Sequence, residues 1–401
     1  MADQAGPGSP GQPALRRVLT LWPLIFYGLG IIVGAGIYVA IGAVVGRAGD
    51  SAPVSFLLAG VAAALTGLCY AELGSRFPEA SGGVSYVRHG FGSDRLASAI
   101  GIAITLAVAI AAASIARGTA QYLSVLVPLP EPILITGIIV LFTVVALTGV
   151  QSSVGIAATM GCIEIVGLIV ATAMGLISAP DFHAPDLVPT TIEGWKMTLS
   201  GAFIAFFAFI GFESLANLAE EVKEPHRTLP LGILGAVATA VVLYFAVSLS
   251  VVMSDATGEQ PLLALFPGVG AIVFAVVGTI AVANGVLVQI VMLARLFYGM
   301  ARNGQLPVVL AEVHPWTQTP AHATVLAGGI VLVTALAVPF EPLLMLTNAV
   351  TLGIFTLVAL ALWRVKRRGE PVSGRIFTVP IWVPPCAALV CVGLILSEWL
   401  G

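Results

Sequence analysis

The stretch GLGIIVGAGIYVAIGAVVG at residues 28–46 carries six glycines inside an uncharged, apolar run. Glycine costs about 1 kcal/mol relative to alanine in a helix interior, so this density needs a reason. Two reasons are available. GxxxG spacing, present in GIIVG and GAVVG, lets membrane helices approach closely. Alternatively, the glycines mark a step where helix is given up and bare backbone is offered to a ligand. A second stretch, GAFIAFFAFIGFESLANLAEE at 201–221, places Gly211 in the middle of another apolar run, with aromatics before it and Glu213 just beyond. Two interrupted runs, five apolar segments apart, fit a pair of inverted repeats whose first helices are each broken near the membrane midplane. A break leaves N–H and C=O groups unpaired. The free half-helix N-terminus suits a carboxylate, and free carbonyls suit an ammonium group.

The rest of the sequence sets the class. Of 401 residues, 58% are hydrophobic and 9% are charged, against roughly 25% charged in ordinary soluble domains. The fold class expected is therefore an all-α polytopic membrane protein. Apolar runs of about 20 residues predict eleven spans, at 20–46, 54–77, 96–127, 131–150, 154–178, 197–220, 229–253, 268–302, 321–338, 342–363 and 379–399. They group as a first five-helix repeat (18–178), a second, inverted repeat (197–363) and one extra C-terminal helix (379–399), after a small, polar, proline-rich tail (1–17) read as disordered and cytoplasmic.

Charge tests this map independently, because Lys and Arg collect in cytoplasmic loops. With the N-terminus inside, fourteen of the 17 cations fall on the inner side, among them Arg16, Arg76, Arg88, Lys223, Arg302 and the run RVKRRGE. Arg47 and Lys196 fall outside, and Arg117 falls within span 3. The expectation is an N-terminus in the cytoplasm and a C-terminus outside, in a cell membrane. A net charge of −3 gives no reason to expect a nucleic-acid partner. Cys69, Cys162, Cys386 and Cys391 lack ligand spacing, and the five histidines, His89 and His226 among them, read as loop residues, so neither a metal site nor a cofactor is expected. GxxxxGK[ST] is absent from the sequence, which points to an ion or substrate gradient as the driving force.

Four segments together carry a family resemblance: GIIVGAGIYVAIG, AELGSRFPEASGGVSYV, FFAFIGFESLANLAEEVKEPHRTLP and ARLFYGMARNGQLPVVLAEV. In order and spacing, from about residue 18 to the end of span 10, the chain resembles permeases of the amino acid–polyamine–organocation superfamily. The resemblance implies two inverted repeats around a central site, with spans 1 and 6 unwound. Carried over by position, it implies that Gly34, Ala35 and Gly36 receive a substrate carboxylate and that carbonyls near Ile31, Phe206 and Phe209 face its ammonium group. It further implies that Phe207 is the gate closing from outside, and that Gln289 in span 8 and Ala111 and Ser114 in span 3 line the side-chain pocket. That lining is uncharged, which favours a neutral amino acid. The chain ends one helix short of the common twelve-span layout.

Ionisable groups inside a span are costly and are functional suspects by default. Glu164 lies about ten residues into span 5. Low dielectric penalises the charged form of a carboxyl group, which makes Glu164 a candidate proton-coupling group, with an ion pair to Arg117 as the structural alternative. Several relatives in the superfamily carry a lysine at this position in place of a coupling sodium ion, so the acid is a departure. Glu213 matches an acid common in the family's span 6, with holding the break and assisting proton transfer as its expected roles. The expected function is secondary active transport of an amino acid by alternating access, coupled to a proton or alternatively to sodium. An obligate amino acid exchanger (antiporter) is the rival within the class, an amine such as a polyamine is the alternative substrate, and a structural membrane subunit or an embedded enzyme is the reading from another class. An embedded enzyme would need paired acids, a His/Cys set or an activated serine at one depth, and the spans offer only Glu164 and Glu213, well separated.

Overall fold

The structure is a computed structural model describing residues 19–78, 82–148, 150–179, 186–219, 222–256, 258, 260–302, 304–317, 319–369 and 376–400, with the side-chain surroundings of 34–35, 150–160, 162, 217 and 400 outside that description. The described residues are helical apart from their connections, with a single isolated bridge between Leu19 and Val222. The long helices are α1 (Leu21–Ala48), α2 (Ala52–Arg76), α4 (Asp94–Ser124), α5 (Glu131–Leu147), α6 (Val150–Ser178), α7 (Ile192–Ala205), α8 (Pro225–Met253), α10 (Val269–Arg302), α11 (Ala321–Ala337), α12 (Phe340–Arg367) and α13 (Val383–Leu400). Two short ones, α3 (Gly82–Phe91) and α9 (Pro261–Ala264), lie in connections. Six described segments, among them α4, α8, α10 and α12, are long and apolar enough to cross a membrane, and the shorter α5, α11 and α13 are apolar as well.

Local sequence explains the helix ends. Ser93 caps α4 by accepting from the Leu96 amide, and Thr191 caps α7 by accepting from the Gly194 amide, each satisfying an orphan N–H of the first turn. Pro225 opens α8, where its missing N–H costs nothing. His89 and His226 lie in α3 and in the first turn of α8, not in loops as the sequence suggested. Both segments are short of apolar residues yet still helical.

The central packing sets α8 on α2, α1 and α6, and α10 on α4, α6 and α1. Polar ties close the bundle at two ends. At one, the fully buried carboxylate of Glu72 accepts from Arg76 Nη2 at 2.7 Å, from Lys366 Nζ at 2.8 Å and from the Val379 amide at 2.7 Å. At the other, Arg47 donates to Ser200 Oγ at 3.0 Å and pairs with Glu398 and Glu341 at 3.4 Å, while Ser200 donates to Glu398 at 2.6 Å. Helix α13 packs against α12, α2 and α7 and is held by both ties.

The expected break in the first helix is not found: α1 runs as one helix from Leu21 to Ala48, through Gly34, Ala35 and Gly36. The reason is visible at Gly36. A Cβ there would lie 2.6 Å from Ala208 Cα and 2.7 Å from its carbonyl oxygen. At Gly28 it would meet Leu215 at 2.7 Å. These glycines let an intact helix press onto the segment after α7. That segment is the broken one. Helix α7 ends at Ala205, a 3-10 turn covers Phe206–Phe209, Ile210 is extended, and a second 3-10 stretch runs over Phe212–Leu218.

Candidate functional site

The break is built around Gly211, whose φ of 127° no L side chain adopts without strain. A Cβ there would also strike Ile31 Cγ2 at 2.6 Å. Interrupting a helix in a dry interior strands backbone groups, each of which costs free energy if unpaired. Three side chains answer that need. Glu213 accepts from the Gly211 amide at 2.8 Å. Asn348, fully buried in α12, donates to the carbonyls of Phe203 (2.8 Å) and Ile204 (3.3 Å) at the end of α7. Tyr244 of α8 places its hydroxyl 2.9 Å from the Ala208 carbonyl and 2.7 Å from the Ile32 carbonyl of α1.

Phe206, Phe207 and Phe209 are buried at the break. Phe209 packs edge-on against Tyr244 with ring centroids 5.0 Å apart, and Phe206 against Phe355 at 5.9 Å. Below them, Tyr70 meets Tyr86, Phe212 and Phe355 within 5.9 Å, a cluster joining α2, α3, α12 and the second 3-10 stretch.

A second polar centre lies where α6 packs on α1 and α10. Glu164 is fully buried, and its Oε1 accepts from Asn284 Nδ2 at 2.8 Å. Its backbone carbonyl accepts from Tyr38 Oη at 2.9 Å, and the Tyr38 carbonyl in turn accepts from Tyr122 at 3.1 Å. Glu164 Oε2 and Asn284 Oδ1 are both buried without a hydrogen-bond partner. The expected alternative, an ion pair between Glu164 and Arg117, is not formed. Arg117 donates instead to the Ala335 carbonyl (2.7 Å) and to Glu131 (3.1 Å) at the ends of α11 and α5, because its long side chain reaches the helix termini where the charge is less costly. Among the described residues, no three His, Cys, Asp or Glu side chains are grouped to hold a metal ion.

A glycine-apposed break, flanked by buried aromatics and a buried acid–amide pair, is the feature to compare with known proteins. Residues 19–397 match the family model described as amino acid permease. The chain belongs to this amino acid permease family, within the amino acid–polyamine–organocation superfamily. It is 33% identical to the methylthioribose transporter of Bacillus subtilis (strain 168), over 97% of this chain and 90% of that protein. It is 30% identical to the branched-chain amino acid permease BcaP of the same organism, over 96% and 89% respectively. Against the chloroplastic cationic amino acid transporter 9 of Arabidopsis thaliana the identity is 31% over 78% of this chain, which spans only 60% of that longer relative.

Within the permease, Ile31 and Gly36 of α1 meet Gly211 and Ala208 of the break. Gly34 and Ala35 lie in the helical backbone of α1, and their surroundings are outside the description. Ala111 and Ser114 are buried in α4, where Ser114 Oγ donates to the Ile110 carbonyl of its own helix at 3.1 Å. Gln289 is half-buried in α10. Tyr244, Asn348 and the aromatic cluster were not singled out in the sequence. Asn348 carried a signal, an amide inside an apolar run, whereas a single tyrosine in a run of valines carries none.

Proposed function

We propose that the permease is a secondary active transporter that moves an amino acid across the cell membrane by alternating access, with the N-terminus cytoplasmic and eleven spans arranged as two inverted repeats plus α13. In this reading the substrate binds between α1, the break, α4 and α10. Its ammonium group meets the carbonyls around Ile31, Phe206 and Phe209. The Gly34–Ala35–Gly36 stretch, intact as helix and closed at Gly36 against Ala208 in this structure, receives the carboxylate only once α1 and the break move apart. Phe207 closes over it, and Ala111, Ser114 and Gln289 face its side chain. A lining without charge suits a neutral amino acid, in keeping with the branched-chain substrate in the name of one relative. The free oxygen of Glu164 is an acceptor for a basic side chain, so a cationic amino acid is the competing substrate, the class that the names of the plant relatives print.

Proton coupling runs through Glu164, and the supporting observation is its pairing with Asn284. The two atoms left without partners, Glu164 Oε2 and Asn284 Oδ1, are the ones a proton on the carboxyl would join. A protonated Glu164 satisfies both; an ionised one leaves a charge and an amide oxygen unsatisfied in a dry interior, a costly state. The proton thus sets which arrangement of α6 against α10 is favoured. Glu213, tied to the Gly211 amide, holds the break.

Purified protein in liposomes tests this with radiolabelled leucine and arginine, with and without an inward proton gradient. The expected result is saturable leucine uptake stimulated by the gradient. Glu164→Gln, which keeps the amide hydrogen bonding without a titratable proton, should bind leucine yet show no stimulation. Stimulation equal to wild type in Glu164→Gln would remove Glu164 from coupling, and no uptake or exchange of any amino acid in a broad panel would overturn the transport reading.

A further inference from the structure

Resting on the transport reading above, we propose that Tyr244 is a substrate-positioning residue, whose hydroxyl fixes the distance between the two backbone arms of the site. The hydroxyl lies 2.7 Å from the Ile32 carbonyl of α1 and 2.9 Å from the Ala208 carbonyl of the break, yet it carries one proton. Its donor is therefore divided between two buried acceptors. Ala208 needs that donor. The Gly211 amide, three residues on and the partner a further 3-10 step would provide, is committed to the Glu213 carboxylate. The same Ala208 backbone lies directly against Gly36, with no room for a Cβ between them. Tyr244 thus secures, from α8, a place where the α1 backbone lies directly against the backbone of the break.

Its ring is fixed independently of the hydroxyl, packing edge-on against Phe56 at 5.9 Å and Phe209 at 5.0 Å, and the whole side chain is buried. At any instant one of the two carbonyls receives no proton from Tyr244. A carbonyl held in place with a lone pair to spare is the acceptor an α-ammonium group requires, and the hydroxyl keeps both carbonyls at a fixed spacing whichever one it serves. Pre-setting an acceptor geometry in this way lowers the ordering cost of binding, so loss of the hydroxyl weakens substrate binding more than it slows turnover.

The experiment measures leucine and arginine uptake in liposomes for wild type, Tyr244→Phe, a variant with 4-aminophenylalanine at 244, and Phe56→Leu, with thermal unfolding of each purified protein alongside. Tyr244→Phe keeps the ring and removes the donor, and should raise KM at least tenfold for the transported substrate while Vmax changes less than threefold. The 4-amino group restores an N–H donor and should return KM to within about threefold of wild type. Phe56→Leu disturbs the ring's packing without touching the hydroxyl and should leave KM unchanged. A wild-type KM in Tyr244→Phe overturns the proposal. So does a Tyr244→Phe protein that no longer folds, because the hydroxyl is then a stability group, and so does failure of the 4-amino group to restore KM. If wild type itself transports nothing, the transport reading has failed, and the two failures are told apart by that control.

Discussion

At Gly211 two independent constraints on residue type coincide. Its φ of 127° lies where side chains are strained, and Ile31 Cγ2 would lie 2.6 Å from a Cβ. Gly211→Ala should therefore destabilise the folded protein by about 1–3 kcal/mol, seen as a lowered midpoint of thermal unfolding in detergent. A control on the exposed, uncrowded Gly393 of α13 should instead be neutral or slightly stabilising, as alanine is in a helix. Equal midpoints for the two variants would contradict the account of the break. At this scale the sequence was legible for Gly211 and misleading for Gly36. Both sit in glycine-interrupted apolar runs, and unwinding and close approach leave the same mark in a sequence. What separates them is the identity of the partner, Ala208, which lies 172 positions from Gly36. The same limit hid the partner of Glu164: Arg117 was the intramembrane partner the sequence offered, and only helix packing puts Asn284 in reach instead.

Among the elements, α12 and α13 show how polar ties bind the bundle where apolar packing alone gives little selectivity inside a membrane. Glu72 serves Arg76, Lys366 and the Val379 amide at once, so the end of α2, the end of α12 and the lead into α13 converge on one buried carboxylate. The three substitutions in this group should not be equivalent. Glu72→Gln leaves two cations close together without their counter-ion, and breaking a buried pair in this way costs about 3–5 kcal/mol. Lys366→Met leaves Glu72 still paired with Arg76 and the Val379 amide, and its cost should be smaller. A double variant, Glu72→Leu with Lys366→Met, should recover part of the loss because no lysine is left stranded. Thermal midpoints of the three proteins check the order, and Lys366→Met as damaging as Glu72→Gln would refute this description of the tie. Most of these elements could be read from apolar length alone, since the apolar stretches coincide with helices. The ties could not, because Glu72, Arg76 and Lys366 look like ordinary cytoplasmic loop-edge charges until α2 and α12 are set side by side.

For the whole molecule, the proposed orientation assigns opposite sides to the two polar ties. If the N-terminus is cytoplasmic, the Glu72–Arg76–Lys366 tie faces the cytoplasm, and the Arg47–Ser200–Glu398 tie faces outward. The charge distribution supports this, since Arg364, Arg367 and Arg368 at the end of α12 share the first side with Arg88 of α3. Arg364 lies 4.8 Å above the ring of Phe91, and Arg368 donates to the His89 carbonyl at 3.1 Å. Two exposed positions make the orientation testable: Trp316, 91% exposed between α10 and α11, and Ile192, 82% exposed at the start of α7. In a background with Cys69, Cys162, Cys386 and Cys391 replaced by alanine, a single cysteine at 192 should react with a membrane-impermeant maleimide added to intact cells. A single cysteine at 316 should react only after the membrane is opened. Because the two positions lie on connections separated by three proposed spans, an odd number, they must label from opposite sides. Labelling of both from outside would show that the number of crossings between α7 and α11 is even. Reversed labelling would keep the count and invert the molecule, moving the Lys366 tie to the outer face and leaving the excess of Lys and Arg on the side where it is disfavoured.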